Sequence, residues 1–459
     1  MEPKNAWLSY SQADLENVEA LSARYRAFLD AGKTERECAR RMYDEARSRG
    51  YRELSDAVRE GVPPRPGDKL MTLCMDKSLV LFVVGEEPLE RGMNLVGAHI
   101  DSPRIDVKQN PLFEDEGLCC LDTHYYGGIK KYQWLTIPLA LHGVVAKTDG
   151  TKIDIALGEA EGDPVLGISD LLAHLSKDQL DKKAGALIDG ESMDVIVGSR
   201  PLPGEEKQPV KARILQLLNE KYGIEEKDFL SAELELVPAG RARDFGLDGS
   251  MIIGYGHDDR CCAFAAFEAL MGASAVPRRT LCAILTDKEE IGSVGATGMQ
   301  ARYFENAVAE LAALSGGGEL ALRRTLASSR MLSSDVSAAF DPKFPEAFEK
   351  KNAAFLGRGV SLNKYTGTRG KSGTNDANAE FVAKVLGIFE RSGVNFQTAE
   401  LGKVDQGGGG TIAYMCAAYG MEVLDAGVAV LSMHAPWEII SKADLYETER
   451  AFKAFLENA

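Results

Sequence analysis

The chain has 459 residues, of which 45% are hydrophobic and 27% charged, and a formal net charge of -16. Such fractions belong to an ordinary globular protein long enough for two domains, and the acidic balance speaks against nucleic acid or anionic membrane as partner. No apolar run approaches the ~20 residues that span a bilayer, the N-terminus lacks a basic stretch leading into an apolar one, and none of the eight cysteines forms a C-x-x-C pair; a reduced, cytoplasmic protein is expected.

Taken in chain order, "DLENVEALSARYRAFLDAG" has helical apolar spacing and stops at Gly32. "TERECARRMYDEARSRG" opens with Thr34 and Glu37 at capping-box spacing and closes on Gly50. At "SLVLFVVG" (78–85) the period changes, and "MNLVGAHID" (93–101) reads as a buried strand ending in polar residues. Residues 104–240 are β-rich, with two strands predicted on either side of Thr148-Asp149-Gly150 and a helix within "PGEEKQPVKARILQLLNEKYG". After Gly240 the α/β alternation resumes: a helix at "DRCCAFAAFEALMG", the strand "RTLCAILTD", a helix near "NAEFVAKVLGIFERSG", a strand at "NFQTAELG", a helix at "TIAYMCAAYG", one strand at "MEVLDAGVAVLSMHA", and a closing helix from Ser441. The simplest architecture is an α/β domain of residues 1–103 and 241–459 interrupted by an inserted β-rich domain, 104–240.

Polar residues recur where apolar runs end. "GAHIDSPR" carries His99 and Asp101, "YGHDDR" Asp258 and Asp259, "DKEEIGS" Glu289 and Glu290, "LSSDVS" Asp335, and "LSMHAPWE" His434. Each alone is ordinary: a strand-end histidine is more often a core residue, "HDDR" can begin a helix, and "SSD" reads as a turn. Together they form the cysteine-free donor set of a hydrolytic zinc, cobalt or manganese site. Two metals need a shared carboxylate, two imidazoles and two further carboxylates, and here one glutamate is left over to serve as a base. Asp101 shares a strand face with His99 and could orient its ring. Two adjacent glutamates would point apart in an ideal strand, so a bend is expected there, made by the glycines that follow.

"AHIDSPR", "HDDR", "DKEEIGS", "SSD" and "SMHAPWE", in this order and spacing, resemble the aspartyl aminopeptidase family of dinuclear zinc metallopeptidases. "KNAW" and "GKTEREC" look like its bacterial branch, and the resemblance covers nearly the whole chain. It implies a mixed-sheet, phosphorylase/hydrolase-like α/β metallopeptidase domain interrupted by a β-rich dimerisation domain. It also implies two Zn2+ per subunit (Co2+ or Mn2+ as alternatives) and removal of N-terminal residues from peptides. Asp258 would bridge the metals, His99 and Asp335 would complete one ion's ligands, and Glu290 and His434 the other's. Glu289 would be the general base and Asp101 the orienter of His99. The resemblance further implies that His174 of the inserted domain reaches a neighbouring subunit's active site to stabilise the oxyanion. A lysine near Lys364, in "RGVSLNKYTGTRGKSGTNDAN", would pair with an acidic substrate side chain, and a homo-oligomer, a dodecamer built from dimers, would form.

Two other functions fit the residues: a metal-dependent deacylase or amidohydrolase acting on N-acylated amino acids, and a non-enzymatic assembly protein with a relic site. His124, His142 and His257 are read as structural. "VDQGGGGTIAYM" lacks the lysine and hydroxyl residue of a phosphate loop, which leaves a close backbone approach near substrate as its reading.

Overall fold

The computed structural model describes residues 4–459. Its contacts divide the chain into two units: one comprises the segment up to Ser102, Ala242–Met433 and Glu438–Ala459, the other Pro103–Arg241 and His434–Trp437.

The first unit is built on a nine-stranded mixed sheet. Its order is Arg52–Glu53, Lys69–Cys74, Ser78–Val83, Leu281–Thr286, Asn94–His99, Arg330–Ser333, Glu422–Gly427, Val360–Asn363, Phe396–Thr398. The four strands from Leu281–Thr286 to Glu422–Gly427 run parallel. They are buried on both faces, which is why their sequences read as unbroken apolar runs. Alternate residues still divide between two cores. Leu281, Ala283, Leu285, Val96, Ala98 and Leu332 pack with the helices Gln12–Ala31, Glu35–Ser48, His257–Met271, Ala379–Arg391 and Lys442–Asn458. Cys282, Ile284, Leu95, Met331 and Val423 pack on the other face with Leu54–Glu60, Tyr303–Leu314, Glu319–Ala327 and Ala413–Ala417.

The capping box at the second helix forms as its spacing predicts: the Glu37 N–H donates to Thr34 Oγ1 at 3.2 Å, and the Thr34 N–H to Glu37 Oε2 at 3.1 Å. The closing helix, Lys442–Asn458, is capped by Ser441. One expectation needs correction. "MEVLDAGVAVLSMHA" is two strands rather than one: Glu422–Gly427 stays in the large sheet, whereas Ala429–Leu431 belongs to a second sheet with Arg243–Phe245, Met251–Gly254, Glu438–Ser441 and Ser337–Ala338. The break falls at Gly427, where a Cβ would lie 2.0 Å from the Asp335 carbonyl oxygen. Only glycine lets the backbones pass so closely.

The second unit holds a six-stranded antiparallel sheet, ordered Lys152–Leu157, Leu139–Ala146, Ala232–Pro238, Arg104–Asp115, Leu118–Tyr126, Val195–Gly198, with the helix Pro209–Tyr222. Its predicted hairpin turns at Gly150, whose N–H donates to the Lys147 carbonyl at 2.9 Å.

Candidate metal centre

Three adjacent parallel strands deliver the site. Thr286 lies beside His99, and Ser333 beside Gly97, so the segments that follow all three strands emerge at one edge of the sheet. His99 is the last residue of its strand and is buried. Its Nδ1 faces Asp101, 3.0 Å from the carbonyl oxygen and 3.2 Å from Oδ1. A proton on Nδ1 satisfies both acceptors and leaves Nε2 with its lone pair, as a metal ligand requires. Nε2 looks onto Asp258 Oδ1 at 3.2 Å, Asp335 Oδ1 at 3.8 Å and Glu289 Oε2 at 3.9 Å.

Asp101 does more than orient a ring. Its Oδ1 accepts the Glu289 N–H at 3.1 Å and its Oδ2 the Glu290 N–H at 3.2 Å. One buried carboxylate therefore holds the imidazole and the turn that carries both glutamates. That turn corrects the expected bend. The strand ends at Thr286, Lys288 takes a left-handed conformation (φ 67°), and Glu289–Ile291 form a 3-10 turn closed by Gly292. The glycines follow the turn, but the reversal itself begins at a lysine. Asp287 fixes it by accepting the Lys288 N–H at 2.7 Å.

Asp258 and Asp259 do not serve as an ordinary helix start. Both have non-helical dihedrals within His257–Met271, and the peptide bond between them is cis. Gly256 precedes them at φ 78°, where a Cβ would meet Arg260 Nη1 at 2.6 Å and Ser102 Oγ at 2.9 Å. The Ser102 hydroxyl donates to the Asp258 carbonyl at 2.6 Å, and the Asp258 N–H donates to Glu438 Oε2 at 3.0 Å. Asp259 Oδ2 receives the His99 N–H at 3.4 Å.

Among the described residues, donor atoms fall within 4.8 Å of one another in His99, Asp258 and Glu290, and again in His99, Asp335 and Glu289. A third group, Asp259, Cys261 and Cys262, has thiols whose pKa is pushed up by burial, which makes them inert core residues. The carboxylates raise one another's proton affinity. Glu289 is pushed up to about 8, by burial first and then by Asp335. Asp259 is held well above the carboxylate range by burial, then by Cys262 and Asp335. Burial alone would lower His99, but Asp101, Asp258 and Asp335 outweigh it and hold the imidazole well above its usual value. Carboxylates converging on one imidazole, with no thiolate contributing to either group, match a hard or borderline divalent cation.

His434 belongs to the second unit, has a left-handed backbone (φ 65°), and places Nδ1 2.8 Å from the Gly128 carbonyl oxygen. His174 is exposed in the short turn Ala173–Leu175 of the same unit. Lys364 follows the strand Val360–Asn363 and pairs with Asp376 Oδ1 at 3.2 Å. Sequence reasoning gave no role to Glu438 or Ser102, although both lie in quoted motifs. The available signal for Glu438 was an acidic residue heading the strand Glu438–Ser441, where it is 1% exposed.

Parallel strand ends, a convergent carboxylate–imidazole cluster and one glutamate beside it define a metallohydrolase of α/β type. The sequence profile of the aminopeptidase I zinc metalloprotease family (M18) matches residues 28–456. A probable M18 family aminopeptidase 1 of Clostridium acetobutylicum is 56% identical, covering 100% of this chain and 98% of that protein. The crystal structure of an M18 aminopeptidase from Thermotoga maritima superposes with a TM-score of 0.95 at 45% identity, covering 100% of both chains. A more distant S. cerevisiae protein, 21% identical with a TM-score of 0.77 over 96% of this chain and 97% of that one, has been solved as a dodecamer. The chain belongs to the M18 family of zinc metalloproteases and is an aminopeptidase, with the mixed α/β fold of that family.

Proposed function

We propose that each subunit uses two zinc ions, with cobalt or manganese as substitutes, to remove the first residue of peptides. In this reading Asp258 would serve both ions, His99 and Asp335 would complete the ligands of one, and Glu290 and His434 those of the other. The observation that carries it is the convergence of His99 on Asp258 and Glu290 and on Asp335 and Glu289 at one edge of the sheet; the division of these residues between the two ions and the base follows the resemblance to the aspartyl aminopeptidases. When bound, the ions supply Lewis acidity toward water and the scissile carbonyl and an anchor for a free α-amine. Glu289 takes the proton of the attacking water and returns it to the leaving amine. Asp101 keeps the His99 ring and the Glu289–Glu290 turn in register.

The anchor for a free amine separates this reading from a deacylase. Matched peptides with free and N-acylated termini, assayed with the zinc-loaded enzyme, should give turnover only for the free ones. Equal hydrolysis of the blocked peptides would replace the aminopeptidase assignment of the site with the deacylase one. Metal analysis of the same preparation disposes of a relic site if it finds two zinc ions per chain.

Asp101→Asn should weaken zinc retention by ~10–100-fold in a chelator competition, the usual cost of losing a group that orients a ligand. The amide keeps one acceptor but sets its NH2 against either His99 or a turn N–H. Unchanged retention would leave Asp101 as a turn brace only.

A preference for acidic N-termini is proposed through Lys364. Its ion pair with Asp376, which Lys371 also holds at 3.0 Å, supports the reading only in that this lysine already takes a carboxylate as partner. Lys364→Ala should cost acidic substrates no more than about 3 kcal/mol in kcat/KM and leave neutral ones nearly unchanged. Equal loss on both classes would give the lysine a structural role.

The inserted segment, 104–240, is proposed as the oligomerisation domain, His174 as the oxyanion donor to a neighbouring copy, and a dodecamer of dimers as the assembly. Support comes from the exposed leucines around His174, with Leu171 at 47%, Leu172 at 54% and Leu175 at 67% exposure, a density that a lone monomer rarely leaves in water. The yeast relative's dodecameric structure agrees with it. A cytoplasmic location is proposed as well. Among the described residues no helix is long and apolar enough to cross a membrane, and no disulfide is present.

A further inference from the structure

The three strands that end at the metal centre begin together at the opposite edge of the sheet. Asn94, Leu281 and Arg330 lie side by side in register. Two of these, Asn94 and Arg330, line a hollow of about 540 Å³ with Arg91, Arg278, Arg279 and Lys384, against Glu87 and the chain segment Leu456–Ala459, which includes Glu457. In a chain of net charge -16, five cations around one hollow are a local reversal of sign.

Three side-chain carboxylates, Glu87, Glu422 and Glu457, stand against these five cations. Glu87 is engaged with Arg278 at 2.6 Å and stands 3.9 Å from Arg279 Nε. Glu422 is engaged with Arg330 at 3.1 Å. The Arg279 guanidinium is braced by the Arg91 carbonyl and by Asn94 Oδ1, and its side chain is only 15% exposed. Burial and then Arg330 lower the proton affinity of Arg279, and burial followed by Arg330 and Arg279 lowers that of Lys384. Like charges crowded and partly desolvated in this way are relieved by an anion placed among them. The planar guanidinium of Arg279, fixed by a backbone and an amide oxygen through two of its N–H groups, keeps others for an oxyanion with several oxygens. The volume is in the range of small-ligand sites and exceeds what a single phosphate fills.

The geometry points to a second ligand site in this aminopeptidase, at the far end of the catalytic strands, that takes the di- or triphosphate group of a small molecule through Arg279, Arg330 and Lys384. Five residue steps along Asn94–His99, roughly 17 Å at the rise of a strand, separate it from the imidazole.

The test is calorimetric titration of the zinc-loaded enzyme with inorganic pyrophosphate and, in parallel, ADP, at constant ionic strength set by sodium chloride so that general screening cancels. One pyrophosphate per chain is expected at this site. Lys384→Gln and Arg330→Ala should each weaken it at least tenfold while peptide turnover stays at the wild-type level. Pyrophosphate drawn to the zinc ions would bind these variants and the wild type alike, so the difference between them reports the hollow alone. ADP binding tighter than pyrophosphate assigns the site to a nucleotide, and equal binding assigns it to polyphosphate itself. No binding above the salt control, or unaltered binding by Lys384→Gln, whose side chain lies on the surface of a helix and can be replaced without disturbing the fold, would overturn the proposal.

Discussion

Glu289→Gln should lower turnover by ~10²–10⁴-fold, the range associated with loss of a general base, and leave zinc content unchanged. The amide keeps the size of the side chain, and the residue's own N–H keeps its bond to Asp101 Oδ1, so neither the turn nor the neighbouring ligand has reason to move. What disappears is the capacity to accept and return a proton. Glu290→Gln is the companion measurement. Glu290, unlike Glu289, is a proposed ligand of the second ion, so that variant should lose metal as well as activity. Metal analysis and single-turnover rates on both proteins decide the matter. If Glu289→Gln sheds zinc as readily as Glu290→Gln, the two roles have been exchanged.

His174→Ala should lower kcat by ~10²–10³-fold with a smaller effect on KM, as expected for a donor that acts mainly on charge developed in the transition state. The informative experiment mixes subunits. A His174→Ala chain retains its own Glu289, and a Glu289→Gln chain retains its own His174. In a pair made of one of each, a single site then has both an intact base and an intact histidine from its neighbour. With free exchange at equal amounts, roughly a quarter of full activity should return, because half of the pairs are mixed and one of two sites in each is complete. Differently tagged chains verify the mixing. Verified mixed oligomers without recovery would return His174 to a same-chain or structural role.

What the sequence disclosed and what it concealed follow from the range of the interactions involved. The helix start at Thr34 depends on a residue three positions away, and the burial of "NLVGAH" on its own composition, so both are legible. The nearness of Asp101 to His99 is local as well, and was expected from two-residue spacing. The two strands within "MEVLDAGVAVLSMHA" were hidden because the break at Gly427 answers to the backbone of Asp335, 92 residues earlier in the chain. The second sheet of the first unit escaped because its strands are two to four residues long, too short for a period to register. Glu438 escaped because its partner, the Asp258 N–H, is 180 residues away. The left-handed Lys288 escaped for a different reason. Nothing in its side chain favours that conformation, which is imposed by Asp287 and Asp101 accepting the hydrogen bonds of the turn.

The bond from the Asp258 N–H to Glu438 also bears on when the protein becomes a protease during its own synthesis. Asp258 emerges little more than halfway along the chain, but the carboxylate that receives its N–H comes 180 residues later. The strand bearing Glu438 is clamped between Met251–Gly254 and Ala429–Leu431, and the helix Lys442–Asn458 that follows it contributes to the larger core. Ser102 and Asp101 can brace the cluster as soon as Asp258 and the Glu289–Glu290 turn have been made, whereas the bond that fixes the Asp258 N–H waits for the chain to reach Glu438.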